Sequence, residues 1–511
     1  MRNKKGFTLI ELLAVIIILA VIALIATPIV LNVVDNARKS ANKDSAYGLL
    51  DSAKLYYMES LLDESKSLSG NLIDKINVSG RKPDSGTVYI NNRGEIALAV
   101  VYDKVCFTKN YEAADLTESD DINNCKIKVV YKDSILNGAD PELKDNLVAV
   151  TIDKYGTVKK ADIYSEWYNY TNKTWANAVL LNGNDTYKVG DKIIEDAIKA
   201  YYVWIPRYKY QIFYDGVNDT TKQLINIEFE NKDTTKSNGT TKDSWLTHPA
   251  FTFGDTELNG IWVGKFELTG DTTNPTIKPN VTSLRYQNVS TLFATTQKLS
   301  TNSSMLKNIE WGTIAYLTTS IYGQGLTEVR INNSRTYITG CAATKENVFE
   351  YDECQNAYNT SIGYLASTTG NISGIYDMSG GTFEYVMGVM EDNLNSNTPS
   401  SGYSIQYNSG LNGKNLNDGT TTIGVAFPES KYYDIYKYGT SNSDYTRYHL
   451  GDATTETKDW NGDFKNFASS GNSWFMRGGY YSGFTSSGIF AFQRISGHAD
   501  SSGISARAVL R

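Results

Sequence analysis

The apolar positions of this chain change their rhythm three times. Behind a basic head of Arg2, Lys4 and Lys5 they run almost unbroken from Leu12 to Leu31. As a helix, residues 7–31 reach roughly 37 Å, enough to cross the hydrocarbon core of a bilayer with some tilt. The basic head stays on the cytoplasmic side by the positive-inside rule, which leaves the rest of the chain for export. Further on the pattern turns amphipathic. Ala46, Leu49, Leu50, Ala53, Tyr56, Tyr57 and Leu61 recur at spacings of three and four, with Asp35, Arg38, Lys39, Lys43, Asp44, Asp51 and Lys54 on the other faces. One long helix over about residues 8–62 follows, its second half laid on a globular head, and Ser69-Gly70-Asn71 supplies turn chemistry past its end.

Strand rhythm then takes over. Residues 87–90 and 95–102, joined by the turn Asn91-Asn92-Arg93-Gly94, predict a hairpin, and residues 125–131 a third strand. Residues 132–164 read as a junction holding Ala139-Asp140-Pro141 and a strand at 148–152. All eight tryptophans lie beyond residue 160, and this shift in composition sets a domain boundary near there. The remainder, 165–511, alternates strands such as 201–208 and 260–267 with long polar loops. Its best helix candidates are 191–198 and 307–317, and it holds no fixed-period repeat. The fold class predicted is α+β, a long N-terminal helix on a small antiparallel sheet followed by a large mixed domain rich in loops.

At 511 residues the chain has room for two to four domains, and 41% apolar with 21% charged residues is a globular composition. A formal charge of −7 gives no basic face for nucleic acid. The four cysteines form two sequence-local pairs, Cys106/Cys125 and Cys341/Cys354. Neither has Cys-x-x-Cys spacing, and in an exported chain both are free to oxidise, so structural disulfides are expected, each contributing on the order of 3 kcal/mol.

Glu11 is the first residue whose presence demands an explanation, because a carboxylate within an apolar helix costs several kcal/mol in lipid unless it is paired. The stretch Lys5-Gly6-Phe7-Thr8-Leu9-Ile10-Glu11 resembles the type IV prepilin signal. That resemblance implies a leader of residues 1–6, cleavage between Gly6 and Phe7 by a prepilin peptidase, methylation of the new Phe7 amine, and a pilin-like domain over 7–131 whose segment 7–31 becomes the filament core. It further implies that Glu11 compensates the Phe7 amine of a neighbouring subunit, with the cell membrane as the holding place before assembly. Pro28 fits the same helix, since proline frees a backbone carbonyl and permits a bend. A plain single-pass anchor would leave Gly6-Phe7 and Glu11 without roles.

Two distal stretches carry a second resemblance. Gly374-Ile375-Tyr376-Asp377-Met378-Ser379-Gly380-Gly381-Thr382-Phe383-Glu384-Tyr385-Val386, and Phe475-Met476-Arg477-Gly478-Gly479-Tyr480-Tyr481 with 503–510 around Arg507, resemble elements of the formylglycine-generating, sulfatase-modifying family. The implied fold is C-type-lectin-like over 165–511. The likeness breaks where that family's chemistry lives: its C-terminal pair of copper-holding cysteines has no counterpart after Cys354, Gly381 stands for an asparagine, and Phe383 and Tyr385 stand for tryptophans. The scaffold is therefore expected without the activity.

Other constellations are thinner. His248, His449 and His498 lie far apart, outside any His-Glu-x-x-His arrangement, and read as surface or loop histidines. Asp459, Asn461 and Asp463 offer oxygen ligands around a turn, a candidate calcium loop without EF-hand spacing. Gly323-Gln324-Gly325-Leu326 is too short for a dinucleotide fingerprint and reads as a turn. The 36 tyrosines invite a glycan-binding reading, although the Glu-Pro-Asn and Gln-Pro-Asp triplets of calcium-dependent lectins are absent and aromatic residues mostly build cores. The expectation is a non-enzymatic, exported, type IV pilin-like subunit that displays an adhesive or ligand-binding distal domain, with a glycan or host-surface ligand as candidate partner and calcium as the one candidate cofactor. The competing expectations are a surface-anchored sulfatase-modifying enzyme and a pseudopilin of a secretion machine, against which the large head counts.

Overall fold

A computed structural model describes residues 8–511 except 64–65, 69, 79, 92–93, 112, 129, 145, 240–242, 346–349, 391–412, 418–419, 425–427, 437–449, 470–471, 498 and 500. Gly6, Phe7, His449 and His498 thus lie outside the described residues. The chain divides into two compact units, Met1–Val130 and Tyr131–Arg511.

The first unit is organised on α1 (Leu9–Ser60), one residue inside the predicted start and two short of the predicted end. Its first half, from Leu9 through Val34, exposes its large apolar side chains, and an 18-residue window there has a mean hydropathy of 3.2. The helix is long and apolar enough to cross a membrane. From Ala46 to Tyr56 the amphipathic stripe does what its spacing predicts: Ala46, Leu49, Leu50, Ala53 and Tyr56 are buried in one core with Val88, Ile90, Leu98, Val100 and Phe107, Tyr57 packs at its edge, and Leu61, past the helix end, is exposed. These come from a meander of four antiparallel strands, β1 (Ser85–Ile90), β2 (Ile96–Tyr102), β3 (Val105–Lys109) and β4 (Thr117–Ser119).

The third strand is not where the sequence put it. Asp103 and Lys104 both adopt left-handed backbone, with φ of 46° and 69°, so the chain reverses directly after Tyr102 and β3 pairs with β2 from Val105. None of the described residues among 125–131 is in a strand. Cys125 is instead tied back to β3 by its disulfide with Cys106.

In the second unit a seven-stranded, wholly antiparallel sheet has β5 (Leu147–Ile152), β6 (Val158–Lys160), β7 (Asn177–Leu181), β8 (Ile198–Pro206), β9 (Gly260–Gly264), β10 (Ser303–Met305) and β16 (Ala508–Leu510) in the order β10-β16-β9-β8-β7-β5-β6. Residues 132–164, set down as a junction, supply two of these strands. The chain's last strand returns to lie between β9 and β10. A second sheet runs β12-β11-β13-β14, from β11 (Phe383–Met390), β12 (Asp434–Tyr436), β13 (Trp474–Arg477) and β14 (Phe492–Ile495), with β15 (Ile504–Ala506) also pairing β11. Shorter hairpins fill the loops, giving the α+β class with a loop-rich second unit.

Helix α3 (Asn308–Thr318) forms where predicted and is buried along its length, its first turn capped by Glu310 accepting from the Lys307 amide at 2.8 Å. Residues 191–198 are not a helix. A single 3-10 turn, Glu195–Ala197, leads into β8, whose pairing with β7 captures Ile198 and overrides the weak helical pattern. Helix α2 (Val289–Thr296), built largely of Thr, Ser and Val, escapes propensity reasoning and is marked chiefly by its cap, Asn288, which accepts from the Thr291 amide. His248, expected as a surface or loop histidine, lies in a loop but is fully buried, against Tyr208, Tyr210, Phe251 and Tyr316. Its Nδ1 accepts from the Ala250 amide and its Nε2 lies 3.0 Å from the Gly451 carbonyl, which assigns the proton to Nε2. Burial pushes its pKa down to about 3, so it stays neutral.

Candidate functional site

At the start of α1, Thr8 and Glu11 form a reciprocal capping box. The Glu11 amide donates to Thr8 Oγ1 at 3.3 Å, while Glu11 Oε2 accepts from both the Thr8 amide and the Thr8 hydroxyl at 2.9 Å. The signal was in the sequence, since Thr-x-x-Glu before an apolar run is a helix-start signature. Glu11 therefore caps its own helix, and its carboxylate sits exposed among apolar neighbours. Pro28 lies inside the same helix, which continues through it. It has no N–H to offer the carbonyl of the preceding turn, and beside it Thr27 Oγ1 donates to the Ala23 carbonyl.

In the second unit the two signature stretches meet in the core. Glu384, at the start of β11, and Arg507, between β15 and β16, form a two-pronged ion pair with both side chains fully buried: Arg507 Nε donates to Oε2 at 3.0 Å and Nη2 to Oε1. The guanidinium also donates to the carbonyls of Gly264 and Tyr376. Asp377 is held in left-handed backbone, φ 61°, and accepts from Asn332 Nδ2 and the Gly340 amide, both at 2.8 Å. Glu267, which accepts from Ser283 Oγ and the Thr382 amide, completes the cluster. Three buried carboxyls thus face one guanidinium. Burial, then Asp377 and Glu384, push the Glu267 pKa well above the usual carboxylate range, and burial likewise raises Asp377 and Glu384.

Arg477 at the end of β13 has a separate task. Its Nη1 donates to Asn308 Oδ1 and the Asp452 carbonyl, and its Nη2 to the Ala453 carbonyl, clamping the 451–456 loop to α3. Glu456 closes that loop, accepting from the hydroxyls of Tyr210 and Tyr316 and from the Gly451 amide. Gly478 and Gly479 follow with φ of 85° and 83°, backbone that suits glycine alone, and the Gly380 amide donates to the Gly478 carbonyl at 2.9 Å. This bond links the two signature stretches, and Met378 packs, fully buried, behind it. Asp377, Glu384, Arg477 and Arg507 are at most 1% exposed, so they build the scaffold and present no acid, base or cation to solvent.

The candidate calcium groups have protein partners. Lys465 pairs with Asp459, Lys222 Nζ donates to Asn461 Oδ1 at 2.6 Å, and Asp463, buried, accepts from the Phe490 amide at 2.9 Å. Among the described residues no three His, Cys, Asp or Glu side chains gather as metal ligands would. All four cysteines are in disulfides, Cys106–Cys125 and Cys341–Cys354. One small pocket beside the signature stretches, of about 40 Å³ and open to solvent, is not marked in the sequence. Loops build it, and Glu328, Arg330, Ile331, Ser379, Phe484 and Thr485 line it. Nothing in their spacing marks them.

Residues 1–27 match the family described as the prokaryotic N-terminal methylation motif. No curated protein matches the chain. The motif covers the basic head, Gly6-Phe7 and Glu11 and runs into the exposed apolar half of α1. The chain accordingly has a type IV pilin- or pseudopilin-like N-terminus, on a helix fit to hold its precursor in a membrane.

Proposed function

We propose that this protein is a subunit of an extracellular type IV pilus-like filament, cut after Gly6 and methylated on Phe7, and that Tyr131–Arg511 is a C-type-lectin-like module displayed for adhesion. The observation that carries the reading is the methylation motif on a helix whose first half is apolar and exposed while its second half is committed to the core of a small pilin-sized unit. Such a helix has a packed partner for its second half and needs one, lipid or other subunits, for its first. The buried scaffold of Glu384, Arg507, Arg477 and Gly478-Gly479 supports the sulfatase-modifying likeness at the level of architecture. It is non-enzymatic in this reading, because the four cysteines are consumed in disulfides and no thiolate is left to hold copper or to be exchanged.

Shearing filaments from cells and labelling them with an antibody to Tyr131–Arg511 tests the proposal. The subunit is expected in the sheared fraction, with label along or at the end of the filaments. A subunit confined to the cell envelope would favour a secretion pseudopilin. Copper-dependent oxidation of a cysteine peptide by the purified full chain would favour the enzyme.

A further inference from the structure

The turn that carries Asp459, Asn461 and Asp463 is bent so that one side chain meets a distant lysine. Asp459 and Asn461 both adopt left-handed backbone, with φ of 75° and 59°, and Gly462 follows with φ 75°. Held this way, Asn461 presents its Oδ1 to Lys222 Nζ at 2.6 Å, across a sequence separation of 239 residues. Left-handed backbone outside glycine carries a local cost, and the contact it secures is this one. Lys222 Nζ is steadied by donating also to the Leu326 carbonyl at 3.1 Å.

The polar groups of this turn are left unevenly satisfied. Asn461 Nδ2 is buried and has no hydrogen-bond partner, although the Oδ1 of the same carboxamide is engaged by the lysine. Asp463, 6% exposed, accepts from the Phe490 amide through Oδ2 at 2.9 Å, while its Oδ1 is buried without a partner. Orphaned buried groups of this kind cost stability and call for a reason. A Cβ at Gly488 would clash with both carboxyl oxygens of Asp463, so a glycine there makes the room that the carboxyl occupies. Buried Trp460, with Phe213 and Phe490 edge-on to it, shields the turn from water. Burial pushes the pKa of Lys222 down and that of Asp463 up to about 8; the two charges act on one another, Glu328 acts on both, and Arg477 acts on Asp463.

We infer that Lys222 and Asn461 become joined by an intramolecular amide bond, with the Asp463 carboxyl as the acid of the reaction. The lone pair of Nζ attacks Cγ of Asn461 and a C–N bond forms; a proton from Nζ passes by way of Asp463 to Nδ2, the Cγ–Nδ2 bond breaks, and the nitrogen leaves as ammonia. In sum a lysine ammonium and a primary carboxamide become a secondary amide and an ammonium ion, with no change of oxidation state. An amine and a carboxamide held in contact in a shielded site react as neighbours within one molecule, which removes most of the entropic barrier. A second lysine–asparagine contact shows what the step needs. Lys265 Nζ lies 2.9 Å from Asn177 Oδ1 but also donates to the carbonyls of Ile372 and Gly374, and Asn177 Nδ2 donates to the carbonyls of Trp175 and Ser373. Burial alone lowers the pKa of Lys265, with no carboxyl acting on it. That pair has no acid and no free leaving amide, and it stays unlinked. The Lys222–Asn461 bond fastens the segment before the strand Asn226–Phe229 to the turn that follows the 451–456 loop, and it stands whether or not the chain is a filament subunit.

Peptide mapping of the detergent-purified full chain by tandem mass spectrometry, after reduction of its disulfides, tests it. A branched peptide that contains both Lys222 and Asn461 and is lighter than its two parts by one ammonia is expected, with Lys265 and Asn177 in unmodified peptides. Lys222→Arg and Asp463→Asn are each expected to give linear peptides only, with Asn461 intact and a lowered thermal midpoint. Lys465→Arg, at the lysine that pairs with Asp459, is expected to keep the link. Native tryptophan emission in the two linear variants excludes misfolding as the cause of the missing link, and should either misfold, the wild-type map decides alone. Lys222 and Asn461 found unlinked in the wild-type chain overturn the inference, and so does an ammonia loss confined to one peptide, as the imide of Asn461-Gly462. A link that survives Asp463→Asn overturns the role given to that carboxyl.

Discussion

Removing Arg507 and removing its partner Glu384 are expected to have very unequal effects. The guanidinium pairs with Glu384 and offsets Asp377 nearby, while burial and these two carboxyls push the pKa of Glu267 well above the usual carboxylate range, so Asp377 and Glu384 are the carboxyls that depend on the one positive charge. Arg507→Met strands both carboxylates and vacates the carbonyls of Gly264 and Tyr376, and stranding a buried charge costs about 3–5 kcal/mol. Glu384→Gln leaves Arg507 balanced by Asp377 and loses mainly a charge-assisted bond, about 1–2 kcal/mol. With an unfolding entropy of about 2.1 cal/mol/K per residue spread over Tyr131–Arg511, those losses lower the midpoint by roughly 5 °C and 2 °C. Because all eight tryptophans lie in this unit, thermal unfolding of the full chain followed by tryptophan emission reports on it alone. The arginine variant is also expected to recover partly at pH 5, where its stranded carboxyls take up protons, and adding Glu384→Gln to it is expected to restore some stability. A Glu384→Gln variant as damaged as Arg507→Met, or a double variant worse than either, would refute the charge counting.

Further outcomes follow from other residues. Glu456, buried with two tyrosine hydroxyls and one amide as its hydrogen-bond donors, has its pKa pushed up to about 7 by burial. A carboxyl raised in the folded state contributes most below its ordinary pKa and loses that contribution as pH climbs to the folded value. Between about pH 5 and 7 the wild type is therefore expected to lose stability relative to Glu456→Gln at up to about 1.4 kcal/mol per pH unit, read from urea midpoints, and parallel curves would contradict this. Replacing Cys106 and Cys125 by alanine is expected to destabilise the first unit by about 3 kcal/mol, read by amide exchange in β2 and β3. Glu11→Ala is expected to insert in membranes yet fail to enter sheared filaments, whereas Thr8→Val, which removes the hydroxyl cap but keeps the carboxylate, is expected to assemble; failure of Thr8→Val would reduce Glu11 to a capping residue.

The elements legible in the sequence are those set by local rules. Leu49, Leu50, Ala53 and Tyr56 announce the face of α1 at helical spacing, the strand around Val88 alternates toward its end as a half-buried strand does, and the apolar run around Val100 is a strand buried almost throughout. Where partners distant in sequence decide, the reading failed. Residues 125–131 alternate like a strand, but the Asp103-Lys104 reversal gives their place to β3. Residues 191–198 carry helix formers, yet only a 3-10 turn forms before β7 draws Ile198 into the sheet, and His248 sits in a core made by residues as far away as Gly451. The candidate sites divide the same way. Glu11 belongs to a contiguous motif and stands out. Ser379 and Phe484 line one pocket because two separated stretches are hydrogen-bonded through Gly380 and Gly478, and no spacing in the chain reveals that.

The processing of the N-terminus is the most direct test of what this chain is. Intact mass and amino-terminal sequencing of the protein purified from its own cell envelope are expected to give a chain that begins at Phe7, carries one methyl group on its α-amine, and retains Glu11 and the whole apolar helix. A chain that still begins at Met1, or one cut beyond the apolar run, would contradict the prepilin reading.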